Sequence, residues 1–450
     1  MLNELKALND GLQKLLPKGD VDTICQSLAG EIINADMKLE SLTDDELGEM
    51  GLKVAKTIEL RRVNTTSVLA QSAFSKVQYG DDGGEETSPY FIPTSCFAGF
   101  TELRIKQGMP ISRHIYDYQS PEASRQKEVV LVEWRSADAE SKHSTITREE
   151  LTSRRSHVVS LLHRTAVSDH DYRVLNCLGF CLATARMSDG DTERVVGFVY
   201  QLPTHAASHI MPVSLREIIG DAFVSPEPSI PSLDDRYQLA RTLAVCLYHL
   251  QCAGWIHRKI SSYNILFFKD GASGKVDITR PYLAGWQYAR PDGEDFPLAA
   301  IHFKSEGYAL GSISLGDFGM YIHPSRWVDE WDPAHDSQAS KLPPFQKVHD
   351  IYSFGVVLVE IAFWEPIFAL VSSQKREKMK ALEVCEEGDN IGWPLNIRAT
   401  AEKELASEMG VSYRNAVLNC LQGLDNVEDG VEKQFFWQVV NKLKYTCIKE

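Results

Sequence analysis

Gly254-Trp255-Ile256-His257-Arg258-Lys259-Ile260-Ser261-Ser262-Tyr263-Asn264-Ile265-Leu266 is the stretch that decides how this chain is read. His257, Arg258 and Lys259 stand in a row, and Asn264 follows five positions after the lysine. At neutral pH an ammonium with an ordinary pKa of about 10.4 has no lone pair to offer and repels a metal ion. Lys259 therefore removes general-base chemistry from its position. Just upstream, residues 233–251 are predicted to be a helix, with Ser232 as N-cap and Leu239, Leu243, Leu247 and Leu250 along one face.

Working outward, residues 129–134 form a β-rich run and residues 147–163 have helical periodicity through Leu151, Val158, Leu161 and Leu162. Two strand-like runs follow at 172–181 and 195–202, joined by a polar turn around 188–191. Residues 214–219 read as a short capped helix, and a loop rich in Ser and Pro, 225–231, leads into the 233–251 helix. Strands first and helices afterwards predict an α+β arrangement. A second decisive stretch is His349-Asp350-Ile351-Tyr352-Ser353-Phe354-Gly355-Val356-Val357-Leu358-Val359-Glu360-Ile361. A helix apolar on nearly every side must be buried on all sides.

Together these stretches resemble a protein-kinase-like domain. The first is similar to the catalytic loop H-R-D-x-x-x-x-N with Lys259 in place of the Asp. The second is similar to the D-x-x-S-F-G-x-x-L-x-E pattern that opens the central helix of the kinase C-lobe. The resemblance implies that Asp350 accepts hydrogen bonds from the catalytic-loop backbone, and that Asp350, Gly355 and Pro324 have structural roles. Tyr321-Ile322-His323-Pro324-Ser325 resembles the A-P-E end of an activation segment, with Ser325 in place of the Glu. The implied architecture is a two-lobed domain over residues 95–450, with an N-lobe at about 95–203 and a mainly helical C-lobe at about 204–450. More narrowly, Leu8-Asn9-Asp10-Gly11-Leu12-Gln13-Lys14-Leu15-Leu16, Val132-Glu133-Trp134 and Gly254-Trp255-Ile256-His257 resemble fungal proteins that join a HeLo-type helical domain, associated with prion inhibition and propagation and with cell death, to a degenerate kinase-like domain.

The phosphotransfer parts implied by the resemblance are missing one by one. Between Phe100 and Glu128 only Gly108 stands where a glycine loop would cradle phosphates. The strand position of the phosphate-binding lysine carries Glu133, with Lys127, Arg135 and Lys142 as nearby substitutes. In Leu283-Ala284-Gly285-Trp286-Gln287-Tyr288-Ala289-Arg290, the segment similar to D-F-G and its following L-A-R, Gly285 replaces the metal-binding Asp and has no oxygen with which to hold magnesium. Asp317-Phe318-Gly319 spells the motif but lies too close to His323-Pro324 to leave an activation segment. No catalytic residue and no cofactor are expected. The loop is degenerate at His257, Arg258, Lys259 and Asn264, and the cofactor positions are degenerate at Glu133 and Gly285. Asn264 and Asp317 are the weak metal candidates. Asn264 is expected to tie the loop's own backbone, His257 to pack beneath it, and Arg258 to pair with a carboxylate or a regulatory phosphate. Lys259 is expected to form a salt bridge or to meet an anion in the cleft.

Residues 1–78 are expected to be helical, a remnant of a HeLo-type domain, with Leu2, Leu5, Leu8, Leu12, Leu15 and Leu16 forming one apolar stripe. Residues 79–94 read as an acidic, glycine-rich linker. The 450-residue chain is 43% hydrophobic and 24% charged, with a net charge of −15 that disfavours nucleic acid and anionic membranes as partners. Nine scattered cysteines without a CxxC pair imply free thiols in a reducing compartment. No apolar run is long enough for a membrane span and no signal peptide is recognisable, so the expected location is cytoplasmic. The resulting expectation is a pseudokinase acting as a signalling scaffold through other proteins, with homo-oligomers allowed. The alternative is an atypical kinase or nucleotide-binding switch using ATP and magnesium.

Overall fold

The computed structural model describes residues 88–101, 103–105, 112–120, 127–137, 148–168, 172–187, 192–292, 319–326, 345–370, 393–424 and 430–444. The expected helices of 1–78, the linker through residue 87, Gly108, Lys142, the turn at 188–191 and Asp317 lie outside the described residues. The fold is α+β. Its strands and helices run β1 (Leu103–Ile105), β2 (Ser112–Gln119), β3 (Lys127–Ser136), α1 (Arg148–Ser168), β4 (Cys177–Met187), β5 (Thr192–Gln201), β6 (Val213–Ser214), α2 (Leu215–Val224) and α3 (Leu233–Cys252). They continue with β7 (Trp255–Ile256), β8 (Ile265–Phe267), β9 (Tyr282–Leu283), β10 (Arg290–Pro291), α4 (Lys347–Phe363), α5 (Trp393–Gln422) and α6 (Val431–Phe435).

Five strands form one sheet in the order β1-β4-β5-β3-β2, antiparallel except for the β1–β4 pair. Side chains alternate across a strand. On β3, Val130, Val132 and Trp134 enter a core on one face with Val195 and Val199, while Leu131 joins the larger core on the other face. That larger core includes Val158, Leu161 and Leu162 of α1 together with Phe180 and Phe198. Glu133 has the parity of Leu131 and so points toward the helical body.

Two corrections concern the sheet. Residues 88–94, assigned to the linker, belong to the fold: Phe91 bridges Phe180, the Ile92 N–H donates to Phe180 O at 2.8 Å, and Ile92 is buried. A side chain at Gly179 would run into the Tyr90 carbonyl, so only glycine lets this segment lie so close. The strand expected at 172–181 is Cys177–Met187. Tyr172, Val174 and Leu175 are buried as irregular chain, and their apolarity imitated a strand.

The caps read from sequence are present. The Ser214 Oγ accepts from the Glu217 N–H at 3.2 Å while Glu217 accepts from the Ser214 N–H at 2.7 Å, a reciprocal capping box. Ser232 Oγ accepts from the Asp235 N–H at 3.1 Å and opens α3. Helix α4 is buried from His349 to Ala362, as its uniform apolarity requires. Gly355 lies where α4 meets α5: a Cβ there would come within 2.7 Å of Cys420 Cβ. Helix α5 is interrupted at Gly410, whose φ of 79° and ψ of 166° are not helical. No helix of the described residues is long and apolar enough to cross a membrane.

Candidate functional site

Two small sheets hold the 257–264 loop and the 284–289 turn side by side. β7 leads into the loop and β8 leaves it; β9 leads into the turn and β10 leaves it. Because β8 pairs with β9 and β7 with β10, the two segments are fastened together at both ends. The Ala284 N–H donates to Asn264 O at 2.8 Å between them.

Asp350 supports the loop from beneath. Its two carboxylate oxygens accept from the backbone N–H of His257 at 2.6 Å and of Arg258 at 2.8 Å. Burial pushes this carboxyl up to about 7, against the pull of the two N–H bonds and of the Arg258 and Arg290 cations. His257 is buried; its Nε2 donates to Ala284 O at 2.9 Å and its Nδ1 accepts from the Lys259 N–H at 3.2 Å. That pairing fixes a neutral imidazole, and burial holds its pKa down at about 3. The ring stands edge-on to Trp286, 4.6 Å between centroids. His257 is thus a packing residue with both nitrogens engaged.

Arg258 has a left-handed backbone, φ 70°, and its guanidinium lies 5.6 Å from the Phe345 ring centroid. Lys259 is half-buried with its ammonium 4.8 Å from the Tyr288 ring centroid, and Arg135 approaches the same ring at 4.7 Å. The Lys259 ammonium is thereby held against an aromatic ring. Of the proposed lysine substitutes, Arg135 goes to that ring and Lys127 sits exposed at the start of β3.

The decisive group is one that sequence reasoning missed. Arg113, on β2, stands directly opposite Glu133 on β3. Its Nε and Nη2 both lie 2.8 Å from Glu133 Oε1. The same guanidinium donates to Asn264 Oδ1 at 3.0 Å and to Tyr263 O at 3.2 Å. Glu133 is 1% exposed, and its second oxygen accepts from the Gly285 N–H at 3.1 Å. Asn264 spends its amide nitrogen on Lys259 O at 2.8 Å. Glu133, Asn264 and Gly285 therefore come together around one internal cation.

Gly285 has φ 83°, a left-handed value that favours glycine. A Cβ there would stand 2.5 Å from Asn264 Nδ2. The residues present do not fit a phosphate-bound metal: the Asn264 oxygen is committed to Arg113, Gly285 has no ligand atom, and a carboxylate at 285 would displace Asn264. Among the described residues, no group of three or more His, Cys, Asp or Glu side chains is placed to hold a metal ion.

The 319–326 segment is anchored by Tyr321 more than by Pro324. Tyr321 Oη donates to Glu360 Oε2 at 2.7 Å and lies 2.8 Å from Ser262 Oγ, while Ser353 Oγ donates to Tyr321 O at 2.6 Å. Pro324 is exposed and opens a 3₁₀ turn, Pro324–Arg326, whose last residue is buried. Glu360 is fully buried, which pushes its carboxyl up to about 7, and it also accepts from the Ile367 N–H at 3.1 Å.

No protein-family model matches the chain, and no curated protein matches it either.

Proposed function

We propose that this chain is a catalytically degenerate kinase-like protein, a pseudokinase, that acts in the cytoplasm by binding other proteins. The observation that carries the reading is the Arg113 guanidinium, bonded to Glu133, Tyr263 O and Asn264 in the space where a kinase would place phosphates and magnesium. Kinase-like ancestry is supported by the carboxylate of Asp350 accepting from the backbone at His257 and Arg258, the contact implied by the two sequence motifs. It is further supported by strands, a helix after β3, more strands and then a helical body, in that order. The residue resemblance to fungal HeLo-associated proteins supports a role in incompatibility or cell-death signalling.

Removing one general base typically slows a reaction by about 10²–10⁴-fold. Here a salt bridge also occupies the phosphate space, so restoring the base alone is not enough. The test is incubation of the full chain and its Lys259→Asp variant with radiolabelled ATP, magnesium and generic protein substrates. No label is expected on the chain or on any substrate in either case. Label transferred by Lys259→Asp would overturn the reading.

A further inference from the structure

The connection between α2 and α3 reads Ser225-Pro226-Glu227-Pro228-Ser229-Ile230-Pro231-Ser232. Proline fixes φ near −65°, and the residue before a proline is driven to extended or polyproline II backbone. Pro226, Pro228 and Pro231, with Ser225, Glu227 and Ile230 ahead of them, leave only Ser229 unconstrained by these two effects before Ser232. Ser225, which precedes Pro226, has φ −72° and ψ 135°, close to polyproline II, and at the other end Ser232 has the extended backbone of a helix N-cap, φ −56° and ψ 159°. No helix or strand includes the segment; the chain bends at Pro226 and Glu227, where the Ser225 Oγ donates to Glu227 O at 3.1 Å and accepts from the Glu227 N–H at 3.3 Å, and residues 228–231 continue without a bend.

Both ends are tied down. The Ser225 N–H donates to Ala222 O at 3.3 Å at the end of α2, and Ser232 caps α3. Between them the segment faces outward, with Pro226, Glu227, Pro228 and Ser229 exposed and Ile230 55% exposed. Exposed large apolar side chains gather around it: Phe223 is 46%, Val224 76% and Leu233 36% exposed. A polyproline II helix repeats every three residues, so Pro228 and Pro231 share one edge while Glu227 and Ile230 share the next.

We propose that residues 228–231, Pro-Ser-Ile-Pro, are a docking motif for a partner domain that reads polyproline II. The partner groove is lined by aromatic rings, which take the Pro228–Pro231 edge and Ile230. Its rim carries Lys or Arg, because the exposed charged residues flanking the motif along the chain are the acids Asp221, Glu227 and Asp234. Anchoring at both ends means that little ordering entropy is lost on binding. The segment is separate from the Arg113 site, so nucleotide binding by the chain would leave this inference standing.

The test uses the full chain against an array of purified, immobilised SH3, WW and EVH1 domains, followed by interferometry. At least one domain with a basic-rimmed groove is expected to bind. Its affinity should fall tenfold or more with Pro228→Ala/Pro231→Ala, and should weaken at higher salt. Ile230→Ser, a change at an exposed position, should also weaken binding and serves as the deciding variant should the double substitution fail to fold. Binding by none of the domains would overturn the proposal, and so would full affinity in a folded variant.

Discussion

Arg113 and Glu133 face each other across β2 and β3, and their salt bridge reaches beyond the sheet: the guanidinium also holds Asn264 and the carboxylate also holds the Gly285 amide. One ion pair therefore joins the strands to both the 257–264 loop and the 284–289 turn. A buried pair of this kind contributes little net stability relative to an apolar pair, but breaking it strands a charge.

Arg113→Ala should accordingly destabilise the protein by about 3–5 kcal/mol, the usual result of leaving one buried charge uncompensated. Arg113→Met/Glu133→Leu should recover much of that loss. Denaturant midpoints of the two variants check this; a harmless Arg113→Ala would show that the ion pair does not hold the site.

Asp350→Ala should lower the denaturation midpoint markedly at pH 8, where the carboxyl is ionised, since charge-assisted bonds are worth about 1.5–3 kcal/mol and the orphaned His257 and Arg258 N–H groups add to the loss. Lys259→Ala removes only a half-buried cation–π contact of about 0.5–1 kcal/mol. Equal midpoints for the two variants would contradict the placement of α4 beneath the loop.

Gly285→Ala and Gly99→Ala form a matched pair. Both glycines have left-handed backbones, φ 83° and φ 73°, but a Cβ at Gly99 meets nothing within 4 Å whereas one at Gly285 meets the Asn264 amide. Gly99→Ala should cost about 1–2 kcal/mol from backbone alone. Gly285→Ala should cost more, and chemical shifts of the Asn264 side chain should move only in that variant.

Acid stability has opposing contributions. His257 and His349 are held down at about 3 by burial, with His323 and Arg326 adding to the effect at His349. Each takes up a proton near 6.5 when unfolded but not when folded, so their contribution to stability is lost as pH falls from about 6.5 toward 3. Asp350 and Glu360, pushed up to about 7 by burial, act the other way, favouring the folded state as pH falls from about 7 to 4. Between about 4 and 6.5 the two pairs offset, and below about 4 only the histidine loss continues. His349→Gln should therefore be at its largest disadvantage at pH 8 and recover relative to the wild type toward pH 4, as measured by denaturant midpoints.

Much of the framework was legible because it is written in contiguous residues. The apolarity of 351–361, the serine caps at 214 and 232 and the spacing of His257 and Asn264 are local signals, and the Asp350 contact was implied by the kinase resemblance that two such stretches carry. Arg113 was not legible. Its role depends on the register that sets it against Glu133, a pairing of residues 20 apart in the chain that no local pattern announces. The docking of Phe91 and Ile92 on β4 and the parallel β1–β4 pairing are likewise contacts between distant residues. Burial of 172–175 without strand structure misled for the opposite reason: apolar residues signal core, whatever backbone carries them.

Thermal melting of the wild-type chain with and without millimolar ATP and magnesium tests the central claim most directly. A ligand at about 100 times its Kd would stabilise the protein by about 2.7 kcal/mol. With Arg113 seated between Glu133 and Asn264, no shift in Tm is predicted. A metal-dependent rise in Tm would contradict the account.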